Sequence, residues 1–249
     1  MRGVPAVFVA SISHTPVTLM WMNPDLLSFR YIPGYQYPER SPVHSADRKP
    51  ATWVSKMVAA FNGGFHLADN VGGYYYGGRL VKPMKSNLGA FTINGRAQIQ
   101  VGVWSPGTTI PTGTQVVRQN LPLLIRAGKS QAKPSDGVST WGIVTYRRPQ
   151  ANRSALGQLN DGSLVFAVAH ETTAAVLGSA LTHVGVRTAV MLDMNGSWPT
   201  GFVYDHRAHM GRPIGHKITP TIVRPPSTYY TQFKKDFVVA EMTSLRSAP

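Results

Sequence analysis

Arg153-Ser154-Ala155-Leu156-Gly157-Gln158-Leu159-Asn160-Asp161-Gly162-Ser163-Leu164-Val165-Phe166-Ala167-Val168-Ala169-His170 is the stretch whose reading decides the fold. Asn160-Asp161-Gly162 is turn chemistry, because these residue types tolerate the positive φ angles that close a hairpin. The apolar runs on either side, Ser154 to Leu159 and Ser163 to Ala169, are therefore expected to pair as antiparallel strands. Downstream, Ala174, Leu177, Leu181 and Val184 recur at spacings of three and four and predict one helix from about Thr173 to His183. Thr172 is expected to cap it, with Glu171 favoured by the helix dipole and Gly185 as the stop. Thr188 to Leu192 then reads as a short buried strand ending in Asp193.

Upstream, Leu88 to Ile93 and Ala97 to Trp104 flank Asn94-Gly95, which predicts a second hairpin closed by a type I′ turn. Gln115 to Ile125 reads as extended, and residues 126–142 as a polar loop closed by Trp141-Gly142. Val54 to Phe61 is apolar and runs into Gly63-Gly64. Val7 to Ile12 and Val17 to Trp21 read as strands, Pro33 to Pro50 as a surface loop, and 72–78 as a mobile loop with aromatic faces. Hairpins, one helix and no repeat or linker predict an α+β fold with a mostly antiparallel sheet and few helices, a single domain over residues 1–249.

The composition narrows the partners. Of 249 residues 43% are apolar, enough for a substantial core, and Gly 24 with Pro 19 speaks for many turns. Lys+Arg 25 against Asp+Glu 11 leaves a net charge of +14, a field that attracts polyanions, whether nucleic acid, anionic lipid or phosphate-bearing polysaccharide. The basic residues are scattered, with local clusters only at Arg147-Arg148, Lys234-Lys235 and from His206 to Lys217. Nucleic acid is therefore not the expected partner, since its binders concentrate their charge in a stripe. The absence of cysteine excludes disulfides and thiolate metal sites. No apolar run reaches the roughly 18 residues of a membrane span, and an extracytoplasmic protein whose signal sequence has been removed is expected, with the cytoplasm left open.

Three ordered segments resemble the phosphodiester glycosidase family. Ala60-Phe61-Asn62-Gly63-Gly64-Phe65 resembles its Asn-Gly-Gly-Phe turn, followed by the hairpin Gly89-Ala90-Phe91-Thr92-Ile93-Asn94-Gly95. Arg153-Ser154-Ala155-Leu156-Gly157 with Asn160-Asp161-Gly162 is similar to its second motif. The helix and the strand into Leu192-Asp193-Met194-Asn195-Gly196-Ser197 match a third, which in the family reads Leu-Asp-Gly-Gly-Gly-Ser. Two family glycines are thus Met194 and Asn195 here. The resemblance covers roughly residues 58–200 and implies a hydrolase that cleaves a sugar C1–O–P phosphodiester in a phosphate-bearing glycan. The departures at Met194 and Asn195 keep open a non-catalytic phosphoglycan- or polyanion-binding protein on the same scaffold.

Such chemistry needs a carboxylate at the anomeric carbon and groups that hold a leaving phosphate. Asp193 is the candidate nucleophile or base, against the alternative of a turn aspartate bonding its own loop. Arg153 is the candidate phosphate fork, and His170 the candidate proton carrier. Asn62, Gly63, Gly64 and Ser197 are candidate substrate-binding residues, the glycines by letting backbone N–H groups approach an anion. A second carboxylate is left among Asp69, Glu171 and Asp205. Tyr74, Tyr75, Tyr76 and Trp198 offer flat faces for a sugar. Asp205, His206, His209 and His216 have metal-ligand types, but Arg207, Arg212 and Lys217 beside them would repel a cation, so no metal is expected there, and the sequence requires no cofactor.

Overall fold

The structure, a computed structural model, describes residues 6–12, 16–38, 51–69, 71–143, 149–207 and 211–243. Its strands are β1 (Val7–Ile12), β2 (Val17–Met22), β3 (Leu27–Ile32), β4 (Met57–Asn62), β5 (Tyr74–Tyr76), β6 (Arg79–Lys82), β7 (Gly89–Ile93), β8 (Ile99–Val103), β9 (Val116–Gln119), β10 (Leu123–Arg126), β11 (Lys129–Ser130), β12 (Ala151–Gln158), β13 (Leu164–Thr172), β14 (Thr188–Met191), β15 (Gly201–Asp205), β16 (Ile214–Lys217) and β17 (Phe237–Met242). One α-helix, α1 (Ala174–His183), lies between β13 and β14. The expected mostly antiparallel architecture with few helices is what the chain adopts.

The strands form three sheets, with orders β1-β2-β13-β12-β14-β10-β11, β16-β15-β4-β17-β3 and β6-β5-β9-β7-β8. The central strands of the first are buried on both faces, in keeping with a β13 that is apolar at every position from Leu164 to Ala169. Register sets which residue faces which layer. Met20, Phe166, Leu156 and Val190 are opposed in a row across four strands, and all four enter the core shared with the other two sheets. Their neighbours Ala155, Val165, Ala167 and Ala189 point the other way, onto Leu177 and Leu181 of α1.

Local chemistry departs from expectation at five places. The helix is capped by Thr173, whose Oγ1 accepts from Val176 N at 3.2 Å; Thr172 is still in β13. Gly185, at φ 83, stops it as expected. The Asn94-Gly95 hairpin is not closed by a two-residue turn. Asn94 Oδ1 accepts from Arg96 N and Gln98 N, so the side chain organises a longer loop in which Ala97 takes φ 58. Residues 74–76 are not a mobile loop: β5 pairs with β9 on one side and β6 on the other, and Tyr74 is fully buried. Gln115 to Ile125 breaks at Asn120 into β9 and β10, which belong to different sheets. The polar loop from 126 contains β11, joined to β10 by Ala127 and Gly128, both at positive φ. The expected surface loop from Pro33 is described only to residue 38; the remainder lies outside the described residues.

Candidate active site

One strand from each sheet points toward the same end of the molecule. β4 ends at Asn62, β14 runs into Asp193, and β9 carries Arg118 toward Asn120. The entry to β17 adds Lys235 and Asp236. Asp193 is 4% exposed and Lys235 5%, and the two form an ion pair. A carboxylate that far from water needs such a countercharge. Asp193 Oδ1 also accepts from Met194 N at 2.8 Å, and its backbone is pinned from both sides: its N–H donates to Gly63 O at 3.1 Å and Ser154 Oγ donates to its carbonyl at 2.8 Å.

Above this carboxylate lies a cavity of about 350 Å³. Asp193, Met194, Asn195 and Trp198 form one side, His66 and Asp69 another, with Phe65, Leu121, Gly142 and Ile143 completing the walls. The His66 ring lies 4.1 Å from that of Tyr37 and 6.2 Å from that of Trp198. Asp69 is exposed at the rim. Of the three carboxylates left open by the sequence, Asp69 alone lines the pocket with Asp193. Asp205 is held by Arg207, which together with its backbone N–H draws the Asp205 pKa down to about 2. Glu171 is exposed at the end of β13.

The other expected site residues lie around this pocket rather than in it. Asn62 spends its amide on the protein: Nδ2 donates to Ser154 Oγ and Gly63 O, each at 3.0 Å, and Oδ1 accepts from Thr200 N at 3.0 Å. Asn62 therefore ties β4 to β12, whose Ser154 in turn bonds the Asp193 carbonyl. Gly63 and Gly64 admit an anion that belongs to the chain itself. A Cβ on Gly63 would stand 2.3 Å from Asp236 Oδ2, and one on Gly64 2.3 Å from Asn120 Oδ1. Gly64 N donates to Asp236 Oδ2 at 3.3 Å, and Phe65 N to Asn120 Oδ1 at 3.0 Å.

Arg153 is 2% exposed and turned inward. Its guanidinium donates to the carbonyls of Thr172 (3.1 Å), Trp141 (2.8 Å) and Pro149 (3.2 Å) and reaches Met194 Sδ at 3.6 Å. Burial lowers its pKa to about 10, which leaves it charged at neutral pH. His170 is exposed and does not line the cavity. Ser197 is held by Arg224, whose Nη2 donates to Ser197 Oγ at 2.8 Å and Nε to its carbonyl at 3.1 Å.

The two departures from the family's glycine run have structural explanations. Asn195 sits at φ 69, a conformation in which Asn is among the few tolerated side chains. Met194 is buried, and its sulfur occupies the space left by Gly142, where a Cβ would lie 2.5 Å away. Among the expected metal-ligand types, Asp205 is taken by Arg207 and the His206 ring lies 2.7 Å from Met57 O, while His209 lies outside the described residues.

Several residues of this region were not singled out by their sequence. Arg118 and Asp236, whose side chains are wholly buried, form an ion pair at 3.1 Å beneath the Gly63-Gly64 turn. Burial pulls the Arg118 pKa down, but Asp236 and Tyr31 outweigh it and leave it above its usual value. Tyr31 Oη donates to Asp236 Oδ2 at 2.9 Å, and Arg118 also donates to the carbonyls of Gln119 and Phe65. A charged residue inside the apolar run Val116-Val117-Arg118 was the available signal. Lys235 belongs to the basic pair Lys234-Lys235, followed by Asp236 and then the buried strand from Phe237. His66 and Arg224 carried no pattern at all.

Comparison with known proteins agrees with this architecture. The catalytic domain of zebrafish N-acetylglucosamine-1-phosphodiester alpha-N-acetylglucosaminidase, auto-inhibited by its pro-peptide, superposes with a TM-score of 0.57 at 16% identity, covering 98% of this chain and 85% of that one. A hypothetical protein from Synechocystis gives 0.54 at 14% identity, covering 95% of this chain and 61% of that one. These likenesses establish a shared fold. No curated protein sequence matches the chain. A sequence profile described as phosphodiester glycosidase matches residues 55–223, well over half of the 249; the chain belongs to the phosphodiester glycosidase family.

Proposed function

We propose that the pocket over Asp193 hydrolyses a sugar 1-phosphodiester in a phosphate-bearing glycan or glycoconjugate. The observation that carries this reading is the nearly buried Asp193 carboxylate at the floor of a 350 Å³ cavity whose walls hold Trp198, His66 and Asp69. The sugar ring stacks on Trp198, a face suited to the apolar side of a pyranose. Asp193 faces the anomeric carbon, as nucleophile or as base for water. The C1–O bond breaks, its electron pair leaves with the phosphate, and the hydroxyl of water joins C1. His66 and Asp69 carry the remaining proton between water and leaving group.

Arg153 and Asn62 are assigned positioning roles. They fix β12, the Trp141 turn and the Asn62–Phe65 turn around the carboxylate and do not touch substrate. Export fits a reaction on glycans. Among the described residues, no helix is long and apolar enough to cross a membrane.

Asp193→Asn is expected to lower turnover of N-acetylglucosamine or hexose 1-phosphodiesters at least tenfold, about 1.4 kcal/mol of barrier. Release of free sugar from the folded variant at the wild-type rate would remove the assignment. A second reading, a phosphoglycan-binding protein without turnover, is favoured by one observation: both Asp193 oxygens already have partners, Met194 N and Lys235. Calorimetric binding of the same compounds with no product formed selects it.

A further inference from the structure

Trp198, the aromatic wall of the pocket, also carries a group of cations. The Arg224 guanidinium carbon lies 5.1 Å from the indole centroid, Lys234 Nζ 4.9 Å and Lys235 Nζ 4.5 Å. Lys235 is neutralised by Asp193. The other two are not. Among the described residues, Arg224 donates only to the uncharged carbonyl and hydroxyl of Ser197, and no ion pair joins Arg224 or Lys234 to a carboxylate.

Arg224 is also fixed in place. It lies 4.9 Å from the centroid of Phe233 as well as over Trp198, and two of its nitrogens are tied to Ser197. A guanidinium restrained by two rings and two hydrogen bonds has given up its rotamer freedom before any ligand arrives, so little ordering cost remains on binding. Lys234 is only partly exposed, on a backbone whose carbonyl accepts from Gln36 and Tyr37 at 3.1 and 2.7 Å. Two uncompensated like charges beside one ring disfavour each other, and an anion that reaches both relieves that cost. Neither residue lines the cavity itself, but both lie within about 5 Å of the centre of Trp198, which does, so the cationic place borders the pocket.

We infer that Arg224 and Lys234 form a second anion subsite, and that the preferred substrate carries a further phosphate on its aglycone, beyond the diester that is cleaved. This rests on the hydrolytic reading of the Asp193 pocket. A sugar seated against Trp198 in the pocket brings its aglycone within reach of these two cations. The arrangement selects against neutral aglycones, which would leave both charges uncompensated.

The test compares N-acetylglucosamine 1-phosphate esterified to glycerol with the same sugar phosphate esterified to glycerol phosphate. The phosphorylated aglycone is expected to be preferred at least fivefold in kcat/KM at low ionic strength, mainly through KM, with the preference shrinking as salt rises. Lys234→Gln and Arg224→Gln should each reduce that ratio, and Arg224→Lys should retain most of it. Equal kcat/KM for the two compounds in the wild type, or an undiminished ratio in both glutamine variants, overturns the subsite. Should neither compound be hydrolysed, the catalytic reading fails. The calorimetric Kd ratio of the same two compounds then decides the subsite separately, and equal affinities overturn it.

Discussion

At the scale of single residues, two carboxylates placed where water hardly reaches are each matched by a buried cation. Asp193 with Lys235 and Asp236 with Arg118 are adjacent buried pairs, linked through the Lys235-Asp236 peptide. Removing one partner leaves the other charge stranded in a poorly solvated place. Lys235→Met is therefore expected to destabilise the fold by about 3–5 kcal/mol, while the double variant Asp193→Asn/Lys235→Met recovers most of that loss. Urea unfolding of the two variants checks this. A single variant within about 1 kcal/mol of wild type would mean that water already compensates Asp193. The same logic explains why Gly63 and Gly64 are required. They make room for the protein's own Asp236 and Asn120, which an expectation built on ligand anions does not anticipate.

At the scale of elements, the sequence was legible wherever one local signal dominated. The β12–β13 hairpin follows from Asn160-Asp161-Gly162, and Gly162 adopts φ 85 in that turn. The helix follows from its apolar spacing, and its end from Gly185. The reading failed where a side chain or a distant strand decided the outcome. Asn94 predicts a tight turn through its backbone tolerance, but its amide oxygen collects two N–H groups and lengthens the turn. Tyr74-Tyr75-Tyr76 between glycine pairs suggested a loop, yet β9, some forty residues away, supplies the strand that orders it. Asp193 was legible as the end of a buried strand. The pocket around it was not, because His66 and Asp69 reach it, and Lys235 reaches the Asp193 carboxylate, from elements far away in the chain, while the Arg153 fork holds three carbonyls.

At the scale of the whole molecule, three sheets share one core, and four tyrosines are buried within or beside it. Burial raises the pKa of Tyr31, Tyr74, Tyr204 and Tyr229, with the nearby Asp236 adding to the effect for Tyr31. A folded-state pKa above the unfolded value of about 10 means the native fold keeps a proton that the unfolded chain gives up. This stability is complete below pH of about 10 and is lost as pH rises toward the folded values, by up to about 1.4 kcal/mol per pH unit for each phenol. Ultraviolet titration should show these phenols ionising only together with loss of structure by circular dichroism. Ionisation near pH 10 in a chain that remains folded would contradict their burial.

The same convergence of sheets makes Asp193 the floor of a pocket, and the account stands on that carboxylate acting at the anomeric carbon. Hydrolysis of a sugar 1-phosphodiester in heavy-oxygen water, with both products weighed by mass spectrometry, tests this most directly. The account predicts the label in the released sugar at C1 and none in the phosphate monoester. Label in the phosphate would place the attack at phosphorus and contradict it.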